Sequence, residues 1–377
     1  MMARVAFFLD TRRIRSADLR DVDAGNPGVG GTEYMFFLVA VHLARTHQVS
    51  MYVTAAGQHP PGIRIVVVRD LREAAVAMQS AGEKIVILRD CEVLPNRSLL
   101  RSMPQSVVVW AHNYSNRRTL KTCAKLPGIV RYLCVSREQH ERLRHEDVFR
   151  KADYIVNAAV ARLHPIELQS PTQDNVVYMG SLVKGKGFHV LARCWGDIAS
   201  AVPSARLHVV GTRRLYNEDA ALGPLGLASP RYERQCARYV TAHGRLREDI
   251  VFHGILGAGK WRLLREAKVA VTNPTGAGET FCLSAAEFGL LGVPVVTRNA
   301  GGPIDVVASG VSGILFDDER DLPEAVVGLL RDESRRAEMG RNAMARVRSR
   351  FDIEIVMAKW RRVIDEIPGG DPVAADP

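Results

Sequence analysis

Short apolar runs rich in β-branched residues alternate along this chain with segments of helical periodicity. The alternation predicts parallel strands joined by helices, as in a doubly wound α/β protein. The clearest helix covers residues 32–45 and is expected to place its apolar residues on one face. In the first half, strands are predicted at 5–9, 49–53, 63–67, 85–88, 107–110 and 132–135.

A second series with the same alternation begins near residue 176. Its predicted strands are 176–179, 207–210, 250–252, 269–271, 295–297 and 313–316. Helical patterns fall between and after them, at 188–199, 229–242, 260–266, 283–292, 321–331, 333–349 and 353–366. Two such series favour two α/β domains of similar architecture.

The chain has 377 residues, which suits two domains rather than one core. A polar segment at 168–175 separates the two series and is the predicted linker. The sequence thus predicts an N-terminal domain at 1–168 and a C-terminal domain at 169–352. Residues 353–377 are expected to form a helix that packs back on the first domain, followed by a loose tail from Pro368.

Composition bears on membrane insertion, on cysteine-based motifs and on the cellular location of the protein. No run of 18 or more apolar residues exists, so no membrane-spanning helix is predicted, and the apolar start lacks the features of a signal peptide. The six cysteines form no Cys-x-x-Cys pair, which gives no support to a zinc or redox motif. Scattered thiols favour a cytoplasmic location, including the inner face of the membrane as a peripheral site.

The net charge of +10 is unevenly distributed. Residues 1–150 carry 22 Lys or Arg and 14 Asp or Glu, and most of this excess lies in 101–150. A basic first half suggests an anionic acceptor, a lipid surface or nucleic acid as partner, and an Arg-rich solvated face is the alternative. The basic stretch lacks the interleaved aromatic residues of a nucleic-acid site, so no nucleic acid is expected.

Two glycine-rich loops have the composition of phosphate sites. One follows the first strand and includes Gly25, Gly28, Gly30 and Gly31, with Thr32 as a candidate helix cap. The other is Gly-Ser-Leu-Val-Lys-Gly-Lys-Gly at 180–187, whose lysines suit a diphosphate. An ordinary glycine turn and an ordinary basic loop are the alternatives.

Two further patterns are weaker. The segment 254–260 has P-loop spacing and ends in Lys260, but Trp261 stands where a P-loop needs Ser or Thr for magnesium. Asp21 and Asp23 resemble a metal-binding pair, although solvated loop acids are the favoured interpretation. No metal site and no bound cofactor are therefore predicted.

The richest motif covers residues 273–296. A glycine loop after a predicted strand presents Glu279, and the helix that follows carries Glu287. The carboxyl edge of a parallel sheet is where such folds bind ligands, and the N–H groups of a helix start suit an anion. Paired carboxylate oxygens suit vicinal sugar or ribose hydroxyls. A capped surface helix with incidental acids is the alternative.

Together these residues resemble family 4 of the retaining glycosyltransferases, whose signature is a Glu, seven residues and a second Glu, here Glu279 and Glu287. The N-terminal glycine loop, the Lys-Gly loop and His112 after a strand support the resemblance. The family has the GT-B architecture: two Rossmann-like, doubly wound parallel-sheet domains that face a deep cleft. The resemblance therefore implies a donor that is a nucleoside-diphosphate sugar and a hydroxylated acceptor, for which the basic first half of the chain leaves an anionic or membrane-associated molecule open.

The resemblance also implies residue roles. Catalysis would involve His112, Glu279, which binds the donor sugar, and Lys186, which neutralises the diphosphate. Donor binding would involve Gly30, Gly31, Ser181, Lys184, Lys186, Gly254, Phe281, Cys282, Leu283, Ser284 and Glu287, the last at the ribose. Acceptor binding would involve Glu33. Asn113, Arg117 and Arg118 are further candidate acceptor residues, the two arginines because they lie in the basic stretch 101–150. The family usually has Arg at 181 and often Gly at 282, so Ser181 and Cys282 depart from it.

The implied reaction moves a hexose-type sugar to a glycan, a lipid-linked or a small-molecule acceptor, with retention and without a metal. Lys186 and helix N–H groups would stabilise the departing anion. Two other functions remain open on sequence grounds: a GT-B epimerase of sugar nucleotides, and a non-catalytic sugar-nucleotide-binding protein. The oligomeric state, the nucleotide, the sugar and the linkage are not predicted.

Overall fold

The computed structural model describes residues 2–160 and 171–367 and divides into two compact units. The first unit comprises Met1–Val22, Gly31–Ala158 and Ile353–Pro377, and the second comprises Asp23–Gly30 and Ala159–Asp352. The predicted domain boundary at 168–169 and the predicted tail from Pro368 fall outside the described residues.

The first unit is built on a seven-stranded parallel sheet with strand order β3-β2-β1-β4-β5-β6-β7. Its strands are β1 (Arg4–Leu9), β2 (Gln48–Val53), β3 (Arg64–Val67), β4 (Ile85–Arg89), β5 (Ser106–Ala111), β6 (Ile129–Cys134) and β7 (Ala152–Tyr154). Its helices are α1 (Gly31–Leu43), α2 (Leu71–Ser80), α3 (Arg97–Ser102), α4 (Arg117–Lys125) and α5 (Arg137–Glu141). The order reverses between β1 and β4, which is the switch point of a doubly wound sheet.

The second unit has a six-stranded parallel sheet of order β12-β9-β8-β13-β14-β15 and a separate hairpin of β10 and β11. Its strands are β8 (Asn175–Met179), β9 (Arg206–Val210), β10 (Thr241–Ala242), β11 (Arg245–Leu246), β12 (Ile250–Gly254), β13 (Val269–Val271), β14 (Val295–Arg298) and β15 (Gly313–Phe316). Its helices are α6 (Phe188–Ala201), α7 (Pro230–Val240), α8 (Lys260–Arg265), α9 (Leu283–Leu290), α10 (Pro303–Val306), α11 (Leu322–Arg331) and α12 (Glu333–Arg350). The last helix of the chain, α13 (Ile353–Glu366), belongs to the first unit.

The burial of α1 differs from the prediction. The sequence predicted a helix with one apolar face, but residues 34–40 of α1 are all buried. The reason is that α1 lies between the sheet and α13, so both of its sides are covered.

The start of α1 also differs from the prediction. Thr32 was predicted as a candidate cap, but the helix begins at Gly31 and Thr32 lies in its first turn. On the same face of the unit, Trp360 of α13 packs edge-on against Trp110 of β5 at 4.6 Å between ring centroids.

Two glycines set the approach of α12 to α9 in the second unit. Helix α9 ends in a turn in which Gly292 has φ of 72° and the N–H of Val293 bonds to the carbonyl of Phe288 at 3.0 Å. A Cβ atom on Gly340 of α12 would lie 2.1 Å from the Gly292 carbonyl oxygen. Only a residue without a side chain lets the two backbones approach this closely.

We therefore expect Gly340→Ala to destabilise the second unit by about 2 kcal/mol, because the methyl group forces α12 away from the end of α9. Gly328→Ala is the matched control, since Gly328 lies inside α11 and a Cβ there meets nothing within 4 Å. It should stabilise the fold by about 0.5–1 kcal/mol through helix propensity. Urea unfolding of both variants measures the two effects, and equal midpoints would contradict the packing argument.

Candidate functional site

The loop between β13 and α9 carries an unusual concentration of backbone strain. Among the described residues, positive φ at a non-glycine position occurs at His243, Asn273 and Cys282, and the last two flank this loop. Gly276 and Gly278 also have φ of 65°. Strained conformations persist where surrounding contacts hold them, and they cluster at functional sites. The loop leads directly from the carboxyl end of a central parallel strand, where such sheets bind ligands.

This loop holds Glu279 in a dense set of contacts. Its carboxylate accepts hydrogen bonds from the Lys186 ammonium at 2.6 Å, the Asn273 side chain at 3.0 Å and the Cys282 N–H at 3.1 Å. Burial alone would raise the pKa of Glu279, but the Lys186 charge and these hydrogen bonds hold that pKa below its usual range. Glu279 is therefore a carboxylate at neutral pH.

Lys186 reaches this carboxylate from the Lys-Gly loop. The loop is fixed from both sides: the Tyr178 hydroxyl donates to the Lys186 carbonyl at 2.7 Å, and the Thr275 hydroxyl donates to the Gly185 carbonyl at 2.9 Å. Burial is the largest single effect and lowers the pKa of Lys186, but the Glu279 charge, the hydrogen bond to Glu279 and other nearby groups together raise that pKa above its usual value. The side chain of Lys186 is 24% exposed, so it is only partly covered by its neighbours.

Glu287, in the second turn of α9, has a different partner. Its Oε1 lies 2.6 Å from the Nζ atom of Lys260, and the two side chains are only 5% and 7% exposed. The first intrahelical donor of α9 is Ala285, so the N–H groups of Leu283 and Ser284 precede the bonded part of the helix. The start of α9 thus lies between two lysine–glutamate pairs.

The other predicted donor residues fall into two groups. Ser181 is fully buried and donates its hydroxyl to the Thr212 carbonyl at 3.0 Å, and the Phe281 ring packs edge-on against Phe351. These two side chains therefore serve the interior of the unit. Lys184 is exposed, and Gly254, with φ of 67°, ends β12.

The N-terminal glycine loop has a packing role that the sequence did not suggest. Gly25 and Gly28 have φ of 109° and 104°. A Cβ atom would lie 2.5 Å from the Trp261 ring at Gly25 and 2.2 Å from the Ile255 side chain at Gly28. The close approach is therefore to the segment 255–261 of the same unit. Gly30 and Gly31, the predicted diphosphate neighbours, lie where the second unit meets the first along the chain.

In the first unit, one predicted residue lies at a helix start and another at a strand end. Glu33, in the first turn of α1, pairs with Arg89 at the end of β4, at 3.0 Å. His112 directly follows β5, and its ring lies against Trp110 at 4.4 Å and Phe36 at 5.9 Å. Burial and then the Arg89 charge hold the pKa of His112 well below its usual value. His112 is therefore a neutral imidazole at pH 7, suited to hydrogen bonding rather than to charge stabilisation.

The predicted acceptor residues Asn113, Arg117 and Arg118 are exposed. The side-chain amide of Gln139 donates to the Asn113 carbonyl at 2.8 Å and to that of Ala111 at 3.1 Å, which fixes the chain after β5. The two arginines open α4 and line a shallow concavity of about 370 Å³, which we call the α4 basic surface. Its lining residues are Arg97, Arg117, Arg118, Lys121, Thr122 and Lys125, none of them acidic.

The described residues contain neither a metal-binding group nor a membrane-spanning helix. Within residues 2–160 and 171–367, no group of three or more His, Cys, Asp or Glu side chains is placed to hold a metal ion, and Asp21 and Asp23 belong to no such group. In the same residues, no helix is long and apolar enough to cross a membrane. All six cysteines are free thiols.

Sequence reasoning missed two site residues. Lys260 was noticed only as the end of a false P-loop, yet it is the partner of Glu287. Arg89 was not predicted as a site residue, because nothing in the sequence relates it to Glu33, 56 residues away. The one available signal was the position of each at or soon after the end of a predicted strand, where side chains gather at the ligand-binding edge.

Part of this chain is similar in sequence to known glycosyltransferases. Residues 161–346, just under half of the chain, match the family described as "Glycosyl transferases group 1". A GDP-mannose-dependent alpha-mannosyltransferase of Corynebacterium glutamicum is 30% identical over 184 residues, which are 46% of this chain and 43% of that protein. The chain thus spans half or less of the length of the curated relatives it matches.

Solved structures resemble the whole chain at low identity. Sucrose-phosphate synthase from Thermosynechococcus elongatus has a TM-score of 0.73 and 16% identity, over 97% of this chain and 98% of that one. Anabaena Alr3699/HepE, solved with UDP-glucose, has a TM-score of 0.71 and 16% identity, over 96% and 99%. With its two parallel-sheet units, the chain has the GT-B fold.

The strain at Cys282 can be measured directly. Cys282 has φ of 74°, which costs a residue with a Cβ atom about 1–2 kcal/mol. We expect Cys282→Gly to be more stable than Cys282→Ala by about 1 kcal/mol. At Cys194, inside α6, the order should reverse by about the same amount because glycine weakens a helix. Chemical denaturation of the four variants tests this, and the same order at both positions would contradict it.

Proposed function

We propose that this protein is a retaining, metal-independent glycosyltransferase of family 4. It transfers a hexose-type sugar from a nucleoside-diphosphate sugar to a hydroxyl group of a glycan, a lipid-linked or a small-molecule acceptor. The observation that carries the proposal is the pair of Lys186 and Glu279 beside the start of α9. The match of residues 161–346 to group 1 glycosyl transferases supports it.

The proposal assigns the diphosphate to Lys186 and the start of α9. An ammonium has three donors, so Lys186 can bond Glu279 and a phosphate oxygen at the same time. The N–H groups of Leu283 and Ser284 add the positive end of a helix, which favours an anion. As the sugar–phosphate bond breaks, negative charge grows on the diphosphate, and these fixed donors stabilise it.

Glu279 and Glu287 have separate tasks in this scheme. Glu279, fixed by three donors at the loop, accepts hydrogen bonds from the donor sugar. Glu287, in the second turn of α9, accepts hydrogen bonds from the ribose hydroxyls. Neutral His112 of the first unit hydrogen-bonds the transferred sugar, and Glu33 faces the acceptor.

The reaction balances without an added reagent. The bond between the anomeric carbon and the diphosphate oxygen breaks, and the acceptor oxygen bonds that carbon from the face the diphosphate leaves. The acceptor proton passes to the departing diphosphate oxygen. The anomeric configuration is then retained, and the oxocarbenium-like transition state needs no covalent enzyme intermediate.

The α4 basic surface suggests the class of acceptor. Five cationic side chains line one concavity. Arg117 among them also pairs with the neighbouring Glu146 at 3.6 Å, whereas the other four pair with no carboxylate of the described residues, so an anionic group bound there would meet a net positive charge. We propose that the acceptor is anionic or is presented at an anionic membrane surface, with Arg117 and Arg118 among its contacts. The protein would then act in the cytoplasm or at the inner face of the membrane.

The first experiment measures donor binding and its product. GDP-mannose and UDP-glucose, with GDP and UDP, are titrated calorimetrically into the wild type and Lys186→Ala. Loss of a hydrogen bond between charged groups costs about 1.5–3 kcal/mol, so the diphosphate dissociation constant should rise at least about tenfold. Lys268→Ala is the matched control, because Lys268 pairs with Asp174 within the same unit and should leave affinity unchanged.

Three results would contradict the proposal. Equal nucleotide affinity in a folded Lys186→Ala variant would remove Lys186 from the donor site. Formation of an isomerised sugar nucleotide in the absence of acceptor would identify an epimerase, and donor binding without turnover of any acceptor would identify a binding protein.

The second experiment probes the α4 basic surface. Arg117→Glu/Arg118→Glu should weaken acceptor use or binding to anionic liposomes several-fold, more strongly at low salt because exposed charges are screened. Donor affinity should not change. Arg231→Glu/Arg234→Glu on α7 makes the same charge change on exposed residues of the second unit. Equal activity of both variants at every ionic strength would show that the α4 arginines are only a solvated face.

A further inference from the structure

The pair of Lys260 and Glu287 is buried more deeply than the other ion pair of the donor site. Its side chains are 7% and 5% exposed, against 24% and 13% for Lys186 and Glu279. Removing two charges from water is costly and is repaid only by close, well-oriented contact. An ion pair is therefore not retained here for stability alone, since apolar side chains would fill the same space at less cost.

Lys260 is fixed by contacts on several sides. Its ammonium bonds Oε1 of Glu287 at 2.6 Å, approaches the Asn26 carbonyl at 3.4 Å and lies 4.8 Å from the centre of the Trp261 ring. Trp261 is itself fixed, since its ring N–H donates to the Ala24 carbonyl at 2.8 Å. The lysine thus belongs to the interior of the second unit, whereas the Lys186 side chain is partly exposed.

A fixed ammonium on one carboxylate oxygen determines the orientation of the other. Rotation of the Glu287 carboxylate would break the 2.6 Å contact, so Oε2 and the remaining lone pairs keep one direction. A site distinguishes a ligand with two hydroxyls from one with a single hydroxyl only if its acceptors are held in a defined geometry. The missing hydroxyl then leaves a fixed acceptor without its hydrogen bond, which lowers the affinity.

We propose that Lys260 is a positioning residue for ribose recognition: it orients the Glu287 carboxylate and thereby makes the donor site selective for ribonucleotides over 2′-deoxyribonucleotides. This inference rests on the proposed role of Glu287 at the ribose. Lys260 itself does not touch the nucleotide. The segment 254–260 resembles a phosphate loop in sequence, but its lysine acts on a carboxylate.

The test compares GDP with 2′-deoxy-GDP, and UDP with 2′-deoxy-UDP, by calorimetry. The wild type should prefer the ribose form of the nucleotide it binds by about tenfold or more. Lys260→Met, Glu287→Gln and the double variant should all lose most of this preference. Each should change the affinity for the deoxy form by less than about threefold. Because Lys260 acts only through Glu287, the double variant should bind no more weakly than Glu287→Gln.

Control variants separate positioning from a general structural effect. Lys268→Met removes the lysine of another ion pair in the same unit and should keep the wild-type preference. If Lys260→Met does not fold because the Glu287 charge is left buried, Lys260→Arg decides. Its charge is kept, but its planar donors reach the carboxylate differently, so the preference should fall at least about threefold.

The outcomes are distinguishable. If the wild type prefers ribose and Glu287→Gln abolishes that preference, but the Lys260 variants keep it, the inference fails and the ribose role of Glu287 stands. If the double variant binds the deoxy form much more weakly than Glu287→Gln, Lys260 touches the nucleotide itself and the inference also fails. If the wild type shows no preference, Glu287 is not the ribose ligand, and both statements are rejected.

Discussion

The second unit depends on how two buried carboxylates are neutralised beside one helix start. A carboxylate removed from water must find a cation or several hydrogen-bond donors. Glu279 finds Lys186, an amide side chain and a backbone N–H, while Glu287 finds Lys260. These contacts join three separate loops, 184–187, 254–260 and 273–282, to α9. Positions far apart in the chain are thereby fixed against one another.

The parallel sheet provides the common edge for these loops. Each strand ends on the same side, so the loops after β8, β12 and β13 converge without long connections. The first unit repeats this arrangement, with Glu33, Arg89 and His112 all near strand ends or the first helix start. The burial that lowers the pKa of His112 comes from the aromatic residues of β5 and α1, which belong to the core of that unit.

Backbone strain and close packing are localised where the site is built. Asn273 and Cys282 adopt positive φ at the two ends of the Glu279 loop, and side-chain hydrogen bonds hold the loop between them. Burial and the nearby Glu279 charge raise the pKa of the Cys282 thiol to about 11, so it is neutral and serves packing rather than nucleophilic chemistry. Gly340 allows α12 to support α9 from behind.

The sequence by itself determined the elements and the principal motif. Period-two and period-3.6 patterns are local properties, so most strands and the helix at 283 were predicted within a few residues. The doubly wound α/β class and the prominence of Glu279 and Glu287 followed from the same local information, whereas the GT-B architecture was implied by the family resemblance. Only the tertiary structure decided which charges meet. Lys260 lies 27 residues from Glu287, and Lys186 lies 93 residues from Glu279. Such pairings arise when loops converge at a sheet edge, and one sequence contains no local pattern that records them. The burial of every residue from 34 to 40 in α1 was not predicted for the same reason, because α13, which packs against α1, comes from a distant part of the chain.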